Sequence, residues 1–247
     1  MSPRYISYGR CFLCGQTFAK NTMTRHLNGC LSAHEEPGKP VRLFHLRVEG
    51  AYAPDYWMNI EIPASATLFD LDNFLRAVWL ECCGHLSAFT INEVRYELDT
   101  DMVDAMWIDF FGPSSPPKSM DVKLHAVLSP GDTFLHEYDF GTTTTLKLKV
   151  IGERQGPRPK KGVRILARNY APAYACTKCG KPAEWLYTFE MPYQAYCSAH
   201  ARRYKEWEDG FLPLVNSPRT GDCGYTGPED PALWFEERKP PEAPGAN

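Results

Sequence analysis

The feature that most constrains the fold of this chain is a pair of cysteine–histidine sets at metal-ligand spacing. The first set follows the pattern C-x2-C-x11-H-x3-C and consists of Cys11, Cys14, His26 and Cys30. The second follows the pattern C-x2-C-x17-C-x2-H and consists of Cys176, Cys179, Cys197 and His200. Thiolates and imidazoles in groups of four bind Zn²⁺ tetrahedrally and fold segments too short to bury a core of their own. The sequence therefore predicts two structural zinc ions.

Each set predicts a known type of small zinc fold. In the first, a C-x2-C turn faces a helix that carries the H-x3-C pair on one side, as in a zinc finger, and Phe18 takes the place of the core aromatic residue. Its gap of eleven residues is one shorter than in the usual finger. In the second, Gly180 follows a C-x2-C turn and the long gap suits a β-hairpin with Met191 and Pro192 at its tip, as in a zinc ribbon.

Three cysteines lie outside these sets. Adjacent Cys82 and Cys83 are predicted to be ordinary small hydrophobes, and Cys223 is an alternative fourth ligand for the second set, disfavoured by its distance along the chain. Both sets offer four ligands, three of them thiolates, which is the structural rather than the catalytic pattern of zinc. We therefore expect no catalytic residue at either ion.

Composition and hydropathy predict a soluble cytoplasmic protein. Hydrophobic residues make up 43% and charged residues 23% of the 247 residues, as in globular chains. No apolar run reaches the roughly 18 residues of a membrane span, and the first residues lack the apolar core of a signal peptide. We therefore expect no membrane partner, and we expect free or metal-bound cysteines rather than disulfides.

The net charge of −3 conceals a strong asymmetry along the chain. Residues 1–34 carry four basic and no acidic side chains, residues 35–150 carry nine basic and eighteen acidic ones, and residues 151–170 carry six basic and one acidic. An acidic body thus has a basic N-terminal segment and a basic strap, which we define as residues 154–168. The candidate nucleic-acid contacts are Lys20, Arg25, Arg158, Lys160, Lys161 and Arg164. For each of them a solvated surface position is the simpler alternative.

Hydrophobic patterning predicts an α+β body between these segments. Strands are predicted in residues 41–50 and 56–64, and a helix in residues 65–83, capped by Ser65 or Thr67. A strand pair follows in residues 85–98, and two strands flank the "DFG" sequence at residues 139–141. Residues 99–120 are the least regular, with a loop at 112–120. "QGPRPKKG" (155–162) is predicted to be a linker, and residues 201–211 a short helix.

The body, roughly residues 40–155, resembles the plasmid pRiA4b ORF-3-like family of mostly uncharacterised prokaryotic proteins. The resemblance depends on the order "WMNIEIPASATLFDLDNFLRAVW", "HLSAFTI" and "EYDFGTTTTLKLKVIGE". The positions that match the family motifs are His85, Phe89, Tyr138, Asp139, Phe140 and Gly141. The resemblance implies an α+β fold with a curved mixed sheet and packed helices.

Several polar positions of the family motifs are not matched. Ser87 and Leu146 stand where the family has histidine, Thr142 where it has an acid, and Thr144 where it has tryptophan. If the motif is catalytic, most of its polar groups are missing. If it is architectural, Asp139 and Gly141 still shape a turn.

We therefore predict three parts. A C2HC zinc finger occupies 1–34, the α+β domain occupies 40–155, and a zinc ribbon with a C-terminal extension occupies 170–235. The predicted function is a zinc-stabilised, non-enzymatic protein that docks on nucleic acid or a ribonucleoprotein. The alternatives are a protein–protein interaction module, or an enzyme acting on a nucleotide through His85 and Asp139.

Overall fold

A computed structural model describes residues 6–98 and 117–238, in which one large mixed sheet is combined with few helices. The predicted α+β class is confirmed. The strands of the large sheet are β1 (Tyr8–Cys11), β2 (Thr17–Ala19), β3 (Pro40–Gly50), β4 (Trp57–Pro63), β5 (Ser87–Ile91), β6 (Val94–Glu97), β7 (Lys118–Ser119), β8 (Thr133–Tyr138), β9 (Thr144–Pro157) and β10 (Arg164–Asn169). A smaller sheet consists of β11 (Trp185–Tyr187), β12 (Gln194–Tyr196) and β13 (Phe211–Pro213). The helices are α1 (Lys20–Ala33), α2 (Leu68–Leu75), α3 (Leu124–Val127), α4 (Ser198–Ala201) and α5 (Trp207–Gly210), with a π-helical turn at Arg76–Leu80 and a 3₁₀ turn at Pro231–Leu233.

The strand order of the large sheet is β2-β1-β10-β4-β3-β9-β8-β5-β6-β7. Strands β6 and β7 are parallel, and the other described neighbours are antiparallel. The long strands β3, β4 and β9 form its centre, and β3 pairs with β9 from Pro40–Pro157 to Gly50–Leu146. The small sheet has the order β12-β11-β13.

Helix α2 forms as its sequence predicts. Thr67 caps it with a full capping box, because its hydroxyl accepts from the Asp70 N–H at 3.1 Å and the Asp70 carboxylate accepts from the Thr67 N–H at 2.8 Å. The apolar stripe of Leu71, Leu75 and Trp79 is buried in the core against the sheet. The helical segment ends in the π-helical turn, which the periodicity did not predict.

The predicted strands around residues 41–50, 56–64, 85–98 and the "DFG" sequence are all confirmed as β3, β4, β5, β6, β8 and β9. The predicted linker at 155–162 is wrong in its first half, because β9 continues to Pro157 along the full length of β3. The single helix predicted at 201–211 is replaced by the short helices α4 and α5. Most of the predicted irregular stretch and loop at 99–120 lies outside the described residues, and its described end contains β7.

The N-terminal segment is built into the large sheet. Strand β1 pairs with β10, with Gly9 opposite Asn169 and Cys11 opposite Ala167. Met23 and Leu27 of α1 lie in one cluster of buried side chains with Trp57 of the body and Leu166 of β10. The division of the chain into three domains stays a prediction, but the first of these parts shares a strand ladder with β10 and a core with Trp57 of the body.

None of the helices in the two described stretches has the length and apolar character needed to cross a membrane.

We predict that Gly9→Ala lowers the free energy of unfolding of the full-length protein. A Cβ at residue 9 would lie 2.6 Å from the Trp57 ring and against the Arg168 carbonyl oxygen. Overpacking of this kind costs about 1–3 kcal/mol. Urea unfolding followed by tryptophan fluorescence measures the loss.

The matched control is Gly29→Ala on the exposed side of α1, where a Cβ meets no atom within 4 Å. Because alanine loses less backbone entropy than glycine in a helix, this variant should gain about 0.5–1 kcal/mol. Equal stability of the two variants would contradict the packing of β1 on Trp57.

Candidate metal centres

The structure brings the first predicted set together. The Sγ atoms of Cys11 and Cys30 are 3.8 Å apart, and Cys14 Sγ lies 3.4 Å from His26 Nε2. A Zn²⁺ ion with bonds of about 2.3 Å to sulfur and 2.0 Å to nitrogen places two sulfurs about 3.8 Å apart, and sulfur and nitrogen about 3.5 Å apart. These two separations match those expected around a tetrahedral zinc ion, and all four ligand atoms lie within 4.8 Å of one another.

Local structure positions these ligands. Cys11 ends β1, and the turn that follows it is closed by the Gly15 N–H, which donates to the Cys11 carbonyl at 2.8 Å. His26 and Cys30 lie one turn apart on α1. The Phe18 ring stacks on the His26 imidazole with a centroid separation of 3.8 Å and so fixes its orientation.

The second predicted set forms a similar group. Cys179 Sγ and Cys197 Sγ are 3.8 Å apart, and His200 Nδ1 lies 3.5 Å from Cys176 Sγ and 3.3 Å from Cys197 Sγ. The Gly180 N–H donates to the Cys176 carbonyl at 2.8 Å, the same bond that closes the first turn. The predicted hairpin is present as β11 and β12, and helix α4, which begins at Ser198, carries His200.

Burial, backbone N–H groups and neighbouring thiols shift the pKa values of the thiols in these groups in opposite directions. Burial works against ionisation of Cys176, but backbone N–H groups, first that of Cys197, lower its pKa to about 6. At the other group, burial and the neighbouring thiols of Cys14 and Cys11 raise the pKa of Cys30 to about 12. A bound metal ion reverses such an increase, because its charge outweighs the repulsion between neighbouring thiolates.

A third group of the same kind was not predicted. Cys82, Cys83, His85 and Cys223 each place one ligand atom within 4.8 Å of the others. Cys83 and Cys223 are exposed, so the prediction that Cys83 is a small packed hydrophobe is wrong, whereas half-buried Cys82 packs against the main core as predicted. Cys223 belongs to this third group and not to the second. The sequence signal that could have revealed it is "CCGH" together with a distant Cys-Gly pair.

The family-motif residues surround this third group. The Asp139 carboxylate accepts hydrogen bonds from Arg219 at 2.7 Å and from the Gly141 N–H at 3.0 Å, and lies 3.6 Å from His85 Nε2. Burial raises the pKa of Asp139, but the Arg219 guanidinium and backbone N–H groups outweigh it and hold the pKa below its usual range. Asp139 is therefore an ionised partner of Arg219, which agrees with a role in shaping the turn.

The aromatic residues of the family motif, Tyr138 and Phe140, also form specific contacts. The Tyr138 hydroxyl accepts from the backbone N–H groups of Cys82 at 3.4 Å and His85 at 3.3 Å, and donates to Glu81 at 2.9 Å. Burial and the neighbouring Glu81 carboxylate raise its pKa to about 12. The exposed Phe140 ring lies under the Arg95 guanidinium at 4.8 Å. Tyr138 thus holds the loop that carries Cys82 and His85.

The candidate nucleic-acid contacts divide into two groups. Lys20 forms an ion pair with Glu49 at 2.7 Å, and Arg164 forms one with Glu36 at 3.3 Å. The others are exposed and form no ion pair with any of the described residues: Arg25, Arg158, Lys160 and Lys161.

The basic strap is partly bound to the body. Arg154 pairs with buried Glu61 at 2.5 Å and with Glu35 at 2.8 Å, and Arg168 is fully buried and donates to the carbonyl groups of Asn216 and Leu233. Only its central turn, residues 158–161, presents free cations within the described part of the chain.

We predict that Arg219→Ala lowers the free energy of unfolding by about 3–5 kcal/mol, because it leaves the buried Asp139 carboxylate without its cation. Arg219 is fully buried and also donates to the Thr142 carbonyl and the Thr144 hydroxyl, both at 3.0 Å. Urea unfolding measures the change. Exposed Arg203→Ala is the control and should change stability by less than about 0.5 kcal/mol. A small effect of the Arg219 substitution would contradict this assignment.

Comparison with known proteins identifies a family but no activity. A family model described as plasmid pRiA4b ORF-3-like protein matches residues 43–210, more than half of the chain. The match confirms the resemblance and extends it past residue 155 through the second cysteine–histidine group. A search against curated proteins returned no match.

Among solved structures, the chain is similar to a crystal structure of a protein of unknown function, MM3350, from Methanosarcina mazei Go1. The identity is 20%, the alignment covers 51% of this chain and 67% of that chain, and the TM-score is 0.39.

Proposed function

The chain belongs to the plasmid pRiA4b ORF-3-like family, and we propose that it is a zinc-stabilised, non-catalytic protein that binds nucleic acid or a ribonucleoprotein. The first and second cysteine–histidine groups hold one structural Zn²⁺ ion each. The contact with nucleic acid is a phosphate-backbone contact made by the turn between β9 and β10. The observation that carries the proposal is the set of exposed cations on this turn.

Zinc is the ion that suits the first two groups. Three thiolates and one imidazole form a soft, tetrahedral ligand set that favours Zn²⁺ over Mg²⁺ or Ca²⁺. The donor separations of 3.3–3.8 Å agree with zinc bond lengths. Such a closed set of four protein ligands supports a structural role.

The β9–β10 turn has the chemistry of a backbone contact. Arg158, Lys160 and Lys161 follow one another within four residues and are exposed. Arg158 and Lys161 also line a cavity of about 630 Å³ that Phe12 and Phe74 help to enclose. Cations beside aromatic rings are the common means of binding single-stranded nucleic acid without sequence preference. Acidic side chains line the same cavity, so the phosphate contact is assigned to the turn itself.

The finger helix is poorly placed to read bases. Lys20, the first residue of α1, is held by Glu49 and by the Pro54 carbonyl, both at 2.7 Å. In a DNA-reading finger the start of the helix enters the major groove. Here that end faces the body, and Arg25 is the exposed cation left on α1.

We predict that Cys14→Ser removes one Zn²⁺ per chain from the full-length protein, because serine is a much weaker zinc ligand than a thiolate. Elemental analysis of protein purified under reducing conditions measures the loss. Exposed Ser32→Ala, on the same helix as His26, is the control and should keep the full zinc content. An unchanged zinc content in the Cys14 variant would show that the first group does not bind zinc.

We predict that the triple variant Arg158→Ala/Lys160→Ala/Lys161→Ala weakens binding to single-stranded RNA or DNA and flattens its salt dependence. Three lost phosphate contacts reduce the slope of log K against log salt by about 2. Fluorescence anisotropy with labelled oligonucleotides across a salt series measures both quantities.

The matched control removes three other exposed lysines: Lys123, Lys147 and Lys149. It changes the net charge equally, so a similar loss of affinity would show that the turn has no special role. Absence of binding by the unsubstituted protein even at low salt would overturn the nucleic-acid proposal.

A protein–protein interaction module is the second candidate. It is favoured because two arginines of the basic strap are already paired with glutamates of the same chain. Arg154 and Arg164 neutralise nearby glutamates and are not free for phosphate. The tip of the β11–β12 hairpin also exposes Phe189 (58%) and Met191 (79%), which suit an apolar contact. This candidate gains support if the oligonucleotide titrations fail.

An enzyme acting on a nucleotide through His85 and Asp139 is supported by their 3.6 Å approach. The ion pair of Asp139 with Arg219 weighs against a general-base role, because a carboxylate with a lowered pKa accepts protons poorly near neutral pH.

A further inference from the structure

The geometry points to a third metal site, in which Cys82, Cys83, His85 and Cys223 bind one Zn²⁺ ion on the surface of the body. The site connects the loop after the π-helical turn to the C-terminal segment. It does not depend on the proposed nucleic-acid binding.

The ligand atoms have the arrangement of the two predicted centres. All four lie within 4.8 Å of one another, and His85 Nε2 lies 3.2 Å from Cys223 Sγ. That separation is close to those between sulfur and nitrogen in the other groups, 3.3–3.5 Å. Three sulfurs and one nitrogen again make a soft set of four, which suits Zn²⁺.

In the third group, as in the other two, a glycine with a positive φ directly follows a cysteine ligand. Gly84 directly follows Cys83 with φ of +72°, and Gly224 directly follows Cys223 with φ of +69°. In the predicted centres the glycines after Cys14 and Cys179 have φ of +76° and +68°. A Cβ at any of these four glycines would meet no atom within 4 Å. Glycine is therefore favoured by the positive φ and not by a lack of space.

Hydrogen bonds within the protein fix the loop that carries three of the ligands, without the need for a metal ion. The Tyr138 hydroxyl accepts from the N–H groups of Cys82 and His85, and Glu81 accepts from the Gly84 N–H at 2.6 Å. On the other side, the Ser217 hydroxyl donates to the Trp79 carbonyl at 2.6 Å and anchors the segment that leads to Cys223. Ligand positions fixed by such outer contacts bind metal more tightly.

The Arg219 guanidinium contacts one of the ligands directly. Three thiolates and a neutral imidazole around Zn²⁺ have a net charge of −1. The buried Arg219 guanidinium donates to Cys82 Sγ at 3.4 Å while it also pairs with Asp139. Hydrogen bonds from a cation to a metal-bound thiolate stabilise its charge.

The surface position of these cysteines is hard to explain by packing. Free cysteine is among the most buried residue types, yet Cys83 and Cys223 are exposed. Their exposure also leaves an entry path for the ion.

The test is elemental analysis of the full-length protein and of Cys83→Ser/Cys223→Ser, both purified under reducing conditions. We expect the variant to contain one Zn²⁺ fewer per chain than the unsubstituted protein. Cys179→Ser, in the second group, should also lose one ion, and the combined triple variant should lose two. Equal zinc contents in the double variant and the unsubstituted protein would overturn the proposal.

A second measurement needs no variant. Iodoacetamide is applied to the native protein in the presence of a reductant, and alkylation of each cysteine is followed by mass spectrometry. We expect Cys83 and Cys223 to react slowly until a zinc chelator is added. Immediate alkylation of both exposed thiols before chelation would contradict a metal site, and it would also be the result if they formed a reducible disulfide.

Discussion

The close approach of three thiols and one imidazole is the interaction on which both ends of the described chain depend. At the N-terminal end, one such group joins the β1 strand to α1, and at the C-terminal end another joins the Cys176 turn to α4. Several thiolates in one place repel one another unless a cation is present. A cation that neutralised the thiolates would therefore stabilise both segments.

The N-terminal group is joined to the large sheet. Strand β1 extends the large sheet through β10, and Met23 and Leu27 share a core with Trp57. An ion bound there would stabilise one end of a ten-stranded sheet and not a separate DNA-binding finger. This placement explains why Lys20, at the start of α1, is held by Glu49 and the Pro54 carbonyl.

The sequence predicted what depends on neighbouring residues. The two cysteine–histidine sets, the Thr67 cap and the strands β3 and β4 all follow from spacing or periodicity within about 25 residues. Contacts between distant residues could not be predicted in this way. The pairing of β1 with β10 joins Gly9 to Asn169, and the third group joins His85 to Cys223, 138 residues apart.

Zinc K-edge X-ray absorption of the full-length protein measures the ligands of any bound zinc directly, and one average shell is expected because all three groups have the same ligand set. We predict an average shell of three sulfurs at about 2.3 Å and one nitrogen at about 2.0–2.1 Å. A shell made mainly of oxygen or nitrogen, or the absence of bound zinc, would contradict it.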